Sequence, residues 1–181
     1  MSVAADPIVF PRRRIKNAVL ARDPLRLTTH YLVRFRAGSS MYPRGALIAY
    51  VENPLLLVIS THLGTVGAER TRNADELLRL VNGSDLPVIL GGDLNSLPTD
   101  RPPRKLGSRL TDSWALLGGG SGWTFPAGAP EARIDYLFVS PSLRPVRVQT
   151  LEGLASDHLM VIVDLEGPGS PDVEMPTVRT L

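Results

Sequence analysis

The sequence predicts an α+β layered sandwich, because apolar runs typical of hairpin strands alternate with single helices along the chain. Residues 45–51 and 55–60 are two such runs, and the turn Glu52-Asn53-Pro54 between them favours antiparallel pairing. Residues 68–81 instead have the period of one helix face, and Gly83 follows as a stop. The apolar positions of that face are Ala74, Leu77, Leu78 and Val81.

Shorter patterns predict the other elements. Residues 31–36 alternate as a half-exposed strand does, and residues 87–90 form a short apolar run that ends at Gly91-Gly92. A weaker helix is predicted over residues 108–117. The remaining apolar runs, each predicted to be a strand, are residues 18–21, 134–139, 146–151 and 159–165. We expect one domain over residues 1–166, followed by a flexible tail at residues 167–181, which contain three prolines and no period.

Composition excludes several classes of protein. A chain of 181 residues with 43% hydrophobic content can bury one sizeable core. The absence of cysteine excludes disulfides, thiolate zinc sites and cysteine nucleophiles, and it fits the reducing cytoplasm, where we expect the protein. No run approaches the roughly 18 apolar residues of a membrane-spanning helix. Arginine far outnumbers lysine, which suits phosphate binding but is equally explained by a genomic preference for arginine codons.

Polar residues stand at the ends of the predicted strands. Residues 60–64, 91–95 and 156–158 each adjoin an aliphatic run, and residues 133–136 open another. Side chains at i and i+2 of an extended chain share a face, so those of residues 93 and 95 can point together into a cleft. The candidate functional residues are His62, Asp93, Asn95, Asp135, Asp157 and His158. Each alone is readily explained as a turn former or a buried histidine, but their joint occurrence at strand ends favours a site.

The ordered segments T-H-L-G, G-G-D-L-N, R-I-D-Y and S-D-H resemble the motifs of the endonuclease/exonuclease/phosphatase superfamily, which includes deoxyribonuclease I, exonuclease III and neutral sphingomyelinase. The resemblance extends from about residue 17 to residue 165. It implies a four-layer α/β/β/α sandwich and a metal-dependent phosphoesterase that uses Mg²⁺ or Mn²⁺. The partner it implies is a phosphate-ester substrate, which is a nucleic acid, a phospholipid or a small molecule.

The resemblance also implies a role for each candidate residue. Asp157 would ligate the cation, which prefers carboxylate oxygens. His158 would act on the scissile phosphate as general base or electrostatic partner, with Asp135 fixing its tautomer. Asp93 would orient or deprotonate the attacking water. The donors of hydrogen bonds to the non-bridging phosphate oxygens would be His62 and Asn95.

Two further groups of this superfamily have no counterpart in the sequence. They are a glutamate metal ligand in a Q-E motif and an asparagine on the first strand, and both precede the strand that residues 16–25 resemble. Residues 1–15 lie upstream of that strand here, and they contain no glutamate. We therefore expect the N-terminal strand, helix and strand of the fold to be missing, and a divalent cation to bind weakly.

Two classes of function are open at this point. The first is a metal-dependent phosphodiesterase or phosphatase, which the presence of all the candidate residues together favours. The second is a catalytically inactive phosphate-binding or interaction module on the same fold. A two-metal calcineurin-like phosphoesterase fits less well, because its site needs more histidines than the three in this chain.

Overall fold

The fold is that of a computed structural model, which describes residues 1–10, 13–36, 43–153 and 155–167. The tail predicted at residues 167–181 lies outside these ranges from residue 168 onward. No helix within them is long and apolar enough to cross a membrane. The elements in chain order are β1 (Ser2–Phe10), β2 (Arg13–Ala21), β3 (Arg26–Arg34), β4 (Gly45–Glu52), β5 (Leu56–His62), α1 (Gly67–Asn82), β6 (Val88–Asp93), α2 (Arg101–Leu106), β7 (Thr111–Asp112), α3 (Ser113–Leu117), β8 (Asp135–Val139), β9 (Arg144–Leu151) and β10 (Met160–Glu166).

The largest sheet has six strands in the order β3-β4-β5-β6-β8-β7. Strands β5 and β6 pair in parallel, and helix α1 connects them because a parallel pair requires a crossover. The other neighbours in this sheet are antiparallel. Strands β4 and β5 form a hairpin whose turn holds Asn53 in the left-handed region, with φ 67°. The predicted hairpin is therefore confirmed, and so is the predicted helix, which is α1.

Both faces of this sheet are covered, as the alternation along β4 demonstrates. Ala46 and Ile48 pack in one core cluster with residues of α1 and α2, whereas Leu47 and Ala49 pack in another with Val19 of β2. The period of two along a strand puts these two pairs on opposite faces. One face of the sheet therefore meets the helices, and the other meets a second β layer.

The second β layer consists of two sheets of two strands each, β1 with β2 and β9 with β10. Leu143, just before β9, is buried in a third cluster with Val139 of β8, and Leu165 of β10 packs against that cluster. These contacts attach β9 and β10 to the large sheet. The α+β prediction is confirmed, and helices, large sheet and second β layer follow one another as in the expected sandwich.

The region between β6 and β8 differs from the prediction of one helix over residues 108–117. Helix α2 ends before residue 108. Within residues 108–117 the structure has the short strand β7, followed by the helix α3. Helix α2 was not predicted, because Pro102 and Pro103 are unfavourable in the interior of a helix. They lie in its first turn, where the backbone N–H groups have no partner within the helix, so the missing N–H costs nothing. Helix α3 is capped by Asp112, whose Oδ1 accepts hydrogen bonds from the backbone N–H of Trp114 (3.0 Å) and Ala115 (3.2 Å).

Strand β1 was not predicted from the sequence. It pairs antiparallel with β2 from Ser2 opposite Ala21 to Phe10 opposite Arg13. Pro7 interrupts the segment and removes a hydrogen-bond donor, which is why it does not read as a strand. Pairing with β2 also explains why β2 begins at Arg13, five residues before the apolar run that starts at Ala18.

Candidate active site

Strand register places three of the candidate residues in one row at an end of the large sheet. The carboxyl ends of β5 and β6 meet there because these strands are parallel, and His62 lies opposite Asp93. Strand β8 runs in the reverse direction, so its first residue, Asp135, also lies opposite Asp93. An imidazole and two carboxylates thus come together from three neighbouring strands.

His62 and Asp93 are in direct contact, with 3.2 Å between Nε2 and Oδ2. Burial, together with the positive charges of Arg44 and His158, lowers the pKa of His62 to about 4. Burial raises the pKa of Asp93 to about 6, although the backbone N–H of Asn95 and the charges of Arg44 and His158 act in the opposite direction. Near pH 7 the pair therefore consists of a neutral imidazole that donates to a carboxylate, and it is not an ion pair.

Asn95 is held in a tight turn directly after Asp93. Its backbone N–H donates to Oδ1 of Asp93 (2.7 Å), and its Nδ2 donates to the backbone oxygen of Leu63 (3.0 Å). Its φ of 47° lies in the left-handed region, which asparagine tolerates better than most residues. Nδ2 carries two hydrogens, and the bond to Leu63 uses one of them. The amide therefore keeps a second N–H that can donate to a ligand.

His158 packs between a carboxylate and an aromatic ring. Its Nδ1 lies 2.7 Å from Oδ2 of Asp135, and the ring of Phe125 lies 4.8 Å from the imidazole, centroid to centroid. Burial, the largest influence, lowers the pKa of His158, but the hydrogen bond and charge of Asp135, with the charges of Asp93 and Asp157, outweigh it, so the pKa is raised. A carboxylate on Nδ1 leaves Nε2 as the nitrogen available to a substrate.

One group of side chains in the described part of the chain could hold a metal ion: Asp93, Asp135 and His158, whose ligand atoms lie within 4.8 Å of one another. The charge of Asp135 adds to the rise in the pKa of Asp93, because two partly buried carboxylates repel each other. A divalent cation would relieve this repulsion, and Mg²⁺ and Mn²⁺ prefer carboxylate oxygens. The donor set therefore fits such an ion.

Asp157, the predicted metal ligand, is not a member of this group. Its side chain is exposed, and its backbone oxygen accepts a hydrogen bond from Ala127 (2.7 Å). It lies close enough to His158 for its charge to affect the pKa of that residue. Its role as a ligand stays a prediction, whereas the five other candidates are brought together in one site.

Arg44 belongs to this site, although the sequence did not single it out. It precedes Gly45, which lies opposite His62, and only 8% of its surface is exposed. Its charge lowers the pKa of both His62 and Asp93, so it lies within electrostatic range of both. The sequence did contain an indication of this position. An arginine at the start of a strand that pairs antiparallel with the T-H-L-G strand lies at the same end of the sheet as that motif.

Two residues of α1 that are not among its apolar positions also contact the loops at the site. Oδ1 of Asn73 accepts a hydrogen bond from the backbone N–H of Gly64 (3.2 Å). Arg70 donates from Nη1 to the backbone oxygen of Asn95. The helical period separated these two residues from the apolar stripe, and nothing local in the sequence indicates that their partners are the loops after β5 and β6.

Comparison with known proteins agrees with this geometry. The model of the Endonuclease/Exonuclease/phosphatase family matches residues 5–158. None of the curated proteins matches the sequence significantly. An endonuclease/exonuclease/phosphatase from Bacteroides vulgatus has a similar fold, with 14% identity and a TM-score of 0.77 over 91% of this chain and 76% of that one.

Two further solved structures have the same fold at similarly low identity. One is a mannosyl-6-phosphatase from Bacteroides thetaiotaomicron, with 20% identity and a TM-score of 0.67 over 91% of this chain and 77% of that one. The other is D. rerio TDP2 in complex with a single-strand DNA product, with 20% identity and a TM-score of 0.72 over 91% and 77%.

Proposed function

Since this chain belongs to the Endonuclease/Exonuclease/phosphatase family, we propose that it is a metal-dependent phosphoesterase, which hydrolyses a phosphodiester or phosphomonoester by attack of water on phosphorus. The observation that carries the proposal is the convergence of Asp93, Asp135 and His158, with 2.7 Å between Oδ2 of Asp135 and Nδ1 of His158. A phosphate ester is anionic and repels hydroxide, so its hydrolysis requires a base, hydrogen-bond donors and positive charge at one place.

Asp93 is the proposed general base. A pKa near 6 leaves its carboxylate ionised at neutral pH and still basic enough to accept a proton. The oxygen of the water forms the new bond to phosphorus, its proton passes to Asp93, and the bond from phosphorus to the ester oxygen breaks, with the departing oxygen taking a proton from solvent. His158, oriented by Asp135, would donate from Nε2 to the phosphate as negative charge develops on it.

Three more groups are proposed to bind the phosphate. Neutral His62 and the second amide N–H of Asn95 would donate to non-bridging oxygens, and Arg44 would add positive charge next to them. This assignment is supported by the position of His62 and Asn95 directly beside Asp93. Low exposure of Arg44 strengthens its charge effect, because the surrounding medium screens it less than water would.

Asp135 and Asp157 are the residues proposed to hold Mg²⁺ or Mn²⁺, because Asp93 has to stay unbound to act as the base. The ion would supply positive charge that offsets the charge of the phosphate. Two carboxylates make a weak site for Mg²⁺, because the ion dehydrates reluctantly. We therefore expect activity that needs millimolar metal, stops on chelation and returns when Mn²⁺ or Mg²⁺ is added.

The substrate is proposed to be a phosphorylated sugar or a nucleic acid, by analogy with the mannosyl-6-phosphatase and with TDP2 bound to a DNA product. The alternative is an inactive phosphate-binding module. It is favoured by the position of Asp157, the predicted metal ligand, outside the group that could hold a metal.

Turnover of p-nitrophenyl phosphate and bis-p-nitrophenyl phosphate with Mn²⁺ separates the two functions. Asp93→Asn should reduce turnover by about 10²-fold or more, because the base is lost. Asp85→Asn, at an exposed aspartate, is the matched control and should retain wild-type turnover. Binding of inorganic phosphate by calorimetry without any turnover would support the inactive module and contradict the enzyme.

A further inference from the structure

The amino-terminal turns of α1 bind directly to the two loops that carry the site. Gly64 follows the T-H-L segment of β5, and its N–H is bonded to Asn73, which is 1% exposed. Asn95 follows β6, and its backbone oxygen is bonded to Arg70. The helix that links β5 to β6 thus connects the ends of both strands through side chains at positions 70 and 73.

Asn95 is held on three sides. Its N–H is bonded to Asp93, its Nδ2 is bonded to Leu63, and its oxygen is bonded to Arg70. The left-handed conformation of Asn95, with φ 47°, is less favourable for a residue with a side chain than the right-handed region, so contacts must maintain it. Of the three contacts, only that of Arg70 comes from outside the two strands and the loops that follow them.

The side chain of Arg70 is not well suited to stabilising the fold. Its Nε is buried and has no hydrogen-bond partner among the described residues. A buried donor without a partner destabilises a fold, so an apolar side chain of similar length would pack here at no greater cost. The benefit of an arginine at this position must therefore come from the group that its Nη1 binds, which is the carbonyl of Asn95.

We propose that Arg70 is a positioning residue for the active site, which maintains the conformation of Asn95 and so keeps its free amide N–H directed at the phosphate. The inference rests on the proposed function, in which Asn95 binds the phosphate. It makes α1 part of the catalytic apparatus, although none of its side chains needs to touch the substrate.

Arg70→Met tests this, with Arg72→Met as the matched control at an exposed position of the same helix. Methionine keeps an unbranched side chain of comparable length and removes every donor. We expect Arg70→Met to melt within about 3 °C of the wild type and to lose about tenfold in kcat with KM changed less than twofold. Arg70→Lys retains a donor that can reach the carbonyl of Asn95 and should recover part of the loss. Arg72→Met should match the wild type in all three quantities.

Hydrogen exchange of the Asn95 amide is a readout that does not depend on activity. This N–H is bonded to Asp93 at 2.7 Å, so its exchange should be at least about fivefold faster in Arg70→Met and unchanged in Arg72→Met. Unchanged exchange in Arg70→Met, or a large fall in its melting temperature, would overturn the positioning role. An inactive wild type would instead refute the proposed function, while the exchange rates would still decide the role of Arg70.

Discussion

Gly92 is a residue at which the backbone of the site tolerates no side chain. Its φ is +147°, and a Cβ built there would lie 1.8 Å from the backbone oxygen of Thr61 on the neighbouring strand. Glycine at position 92 therefore allows the close approach of β5.

Gly92→Ala should therefore lower the free energy of unfolding by about 3 kcal/mol or more, because both the clash and the φ angle are unfavourable. Urea denaturation followed by circular dichroism measures this. Gly91→Ala is the control, since a Cβ at Gly91 would lie 3.7 Å from the nearest backbone oxygen, and it should change stability by less than about 1 kcal/mol. Equal losses of unfolding free energy in the two variants would contradict the role of Gly92 in the close approach of β5.

Asp135 is expected to act through His158. Asp135→Asn removes the negative charge beside the ring, so the protonated imidazolium, which donates from Nε2 while Nδ1 is bound to residue 135, is less favoured. We expect kcat to fall by about 10²-fold or more with little change in KM, because the loss falls on the transition state. Steady-state kinetics with a chromogenic phosphate ester would measure it. Wild-type turnover in this variant would give Asp135 a structural role only.

The short helix α3 depends on one capping residue, Asp112. Helix α3 has five residues, too few to be stable by itself, and Asp112 serves it twice. Its Oδ1 accepts the N–H groups of the first turn, and its carboxylate pairs with Arg133 at 2.9 Å, where the two side chains are 14% and 7% exposed. The guanidinium of Arg133 also lies over the ring of Tyr136, at 4.6 Å from its centroid.

Asp112→Ala should destabilise the protein by about 3–5 kcal/mol, because it removes a cap and leaves the buried charge of Arg133 without its partner. Asp100→Ala is the comparison, because Asp100 precedes α2 but makes no side-chain hydrogen bond to the helix. It accepts one from Leu97 at 2.9 Å, so we expect a loss of about 1 kcal/mol. Thermal denaturation of the two variants gives the comparison, and similar losses would show that the ion pair with Arg133 contributes little.

The molecule as a whole is held together by a sheet that is buried on both faces. Leu47 of β4 has no exposed surface, and it packs with Val19 of β2 on the face opposite the helices. If the second β layer covers the sheet as described, Leu47→Ala should cost about 2–5 kcal/mol. Leu55→Ala, at a leucine that is 51% exposed, should cost less than about 0.5 kcal/mol. A small effect at Leu47 would mean that the two layers separate easily in solution.

Much of the fold could be predicted from local pattern. The hairpin of β4 and β5, the helix α1 and the apolar runs of β6, β8, β9 and β10 were each predicted from patterns that depend only on neighbours in the chain. The elements that were not predicted correctly also have local causes. Prolines obscure β1 and α2, and α3 depends on a cap at Asp112 that a periodic pattern does not reveal.

The sequence by itself determined which chemical groups stand at the strand ends, because strand boundaries and side-chain types are local properties. His62, Asp93, Asn95, Asp135 and His158 were all identified in this way. The tertiary structure alone decided which of these groups meet. Register aligns His62, Asp93 and Asp135 in one row, brings Arg44 to the same end, and leaves Asp157 outside the group that could hold a metal. Contacts such as that of Arg70 with Asn95 join residues 25 positions apart, and such a pairing depends on the packing of a helix on a sheet, which no local period encodes.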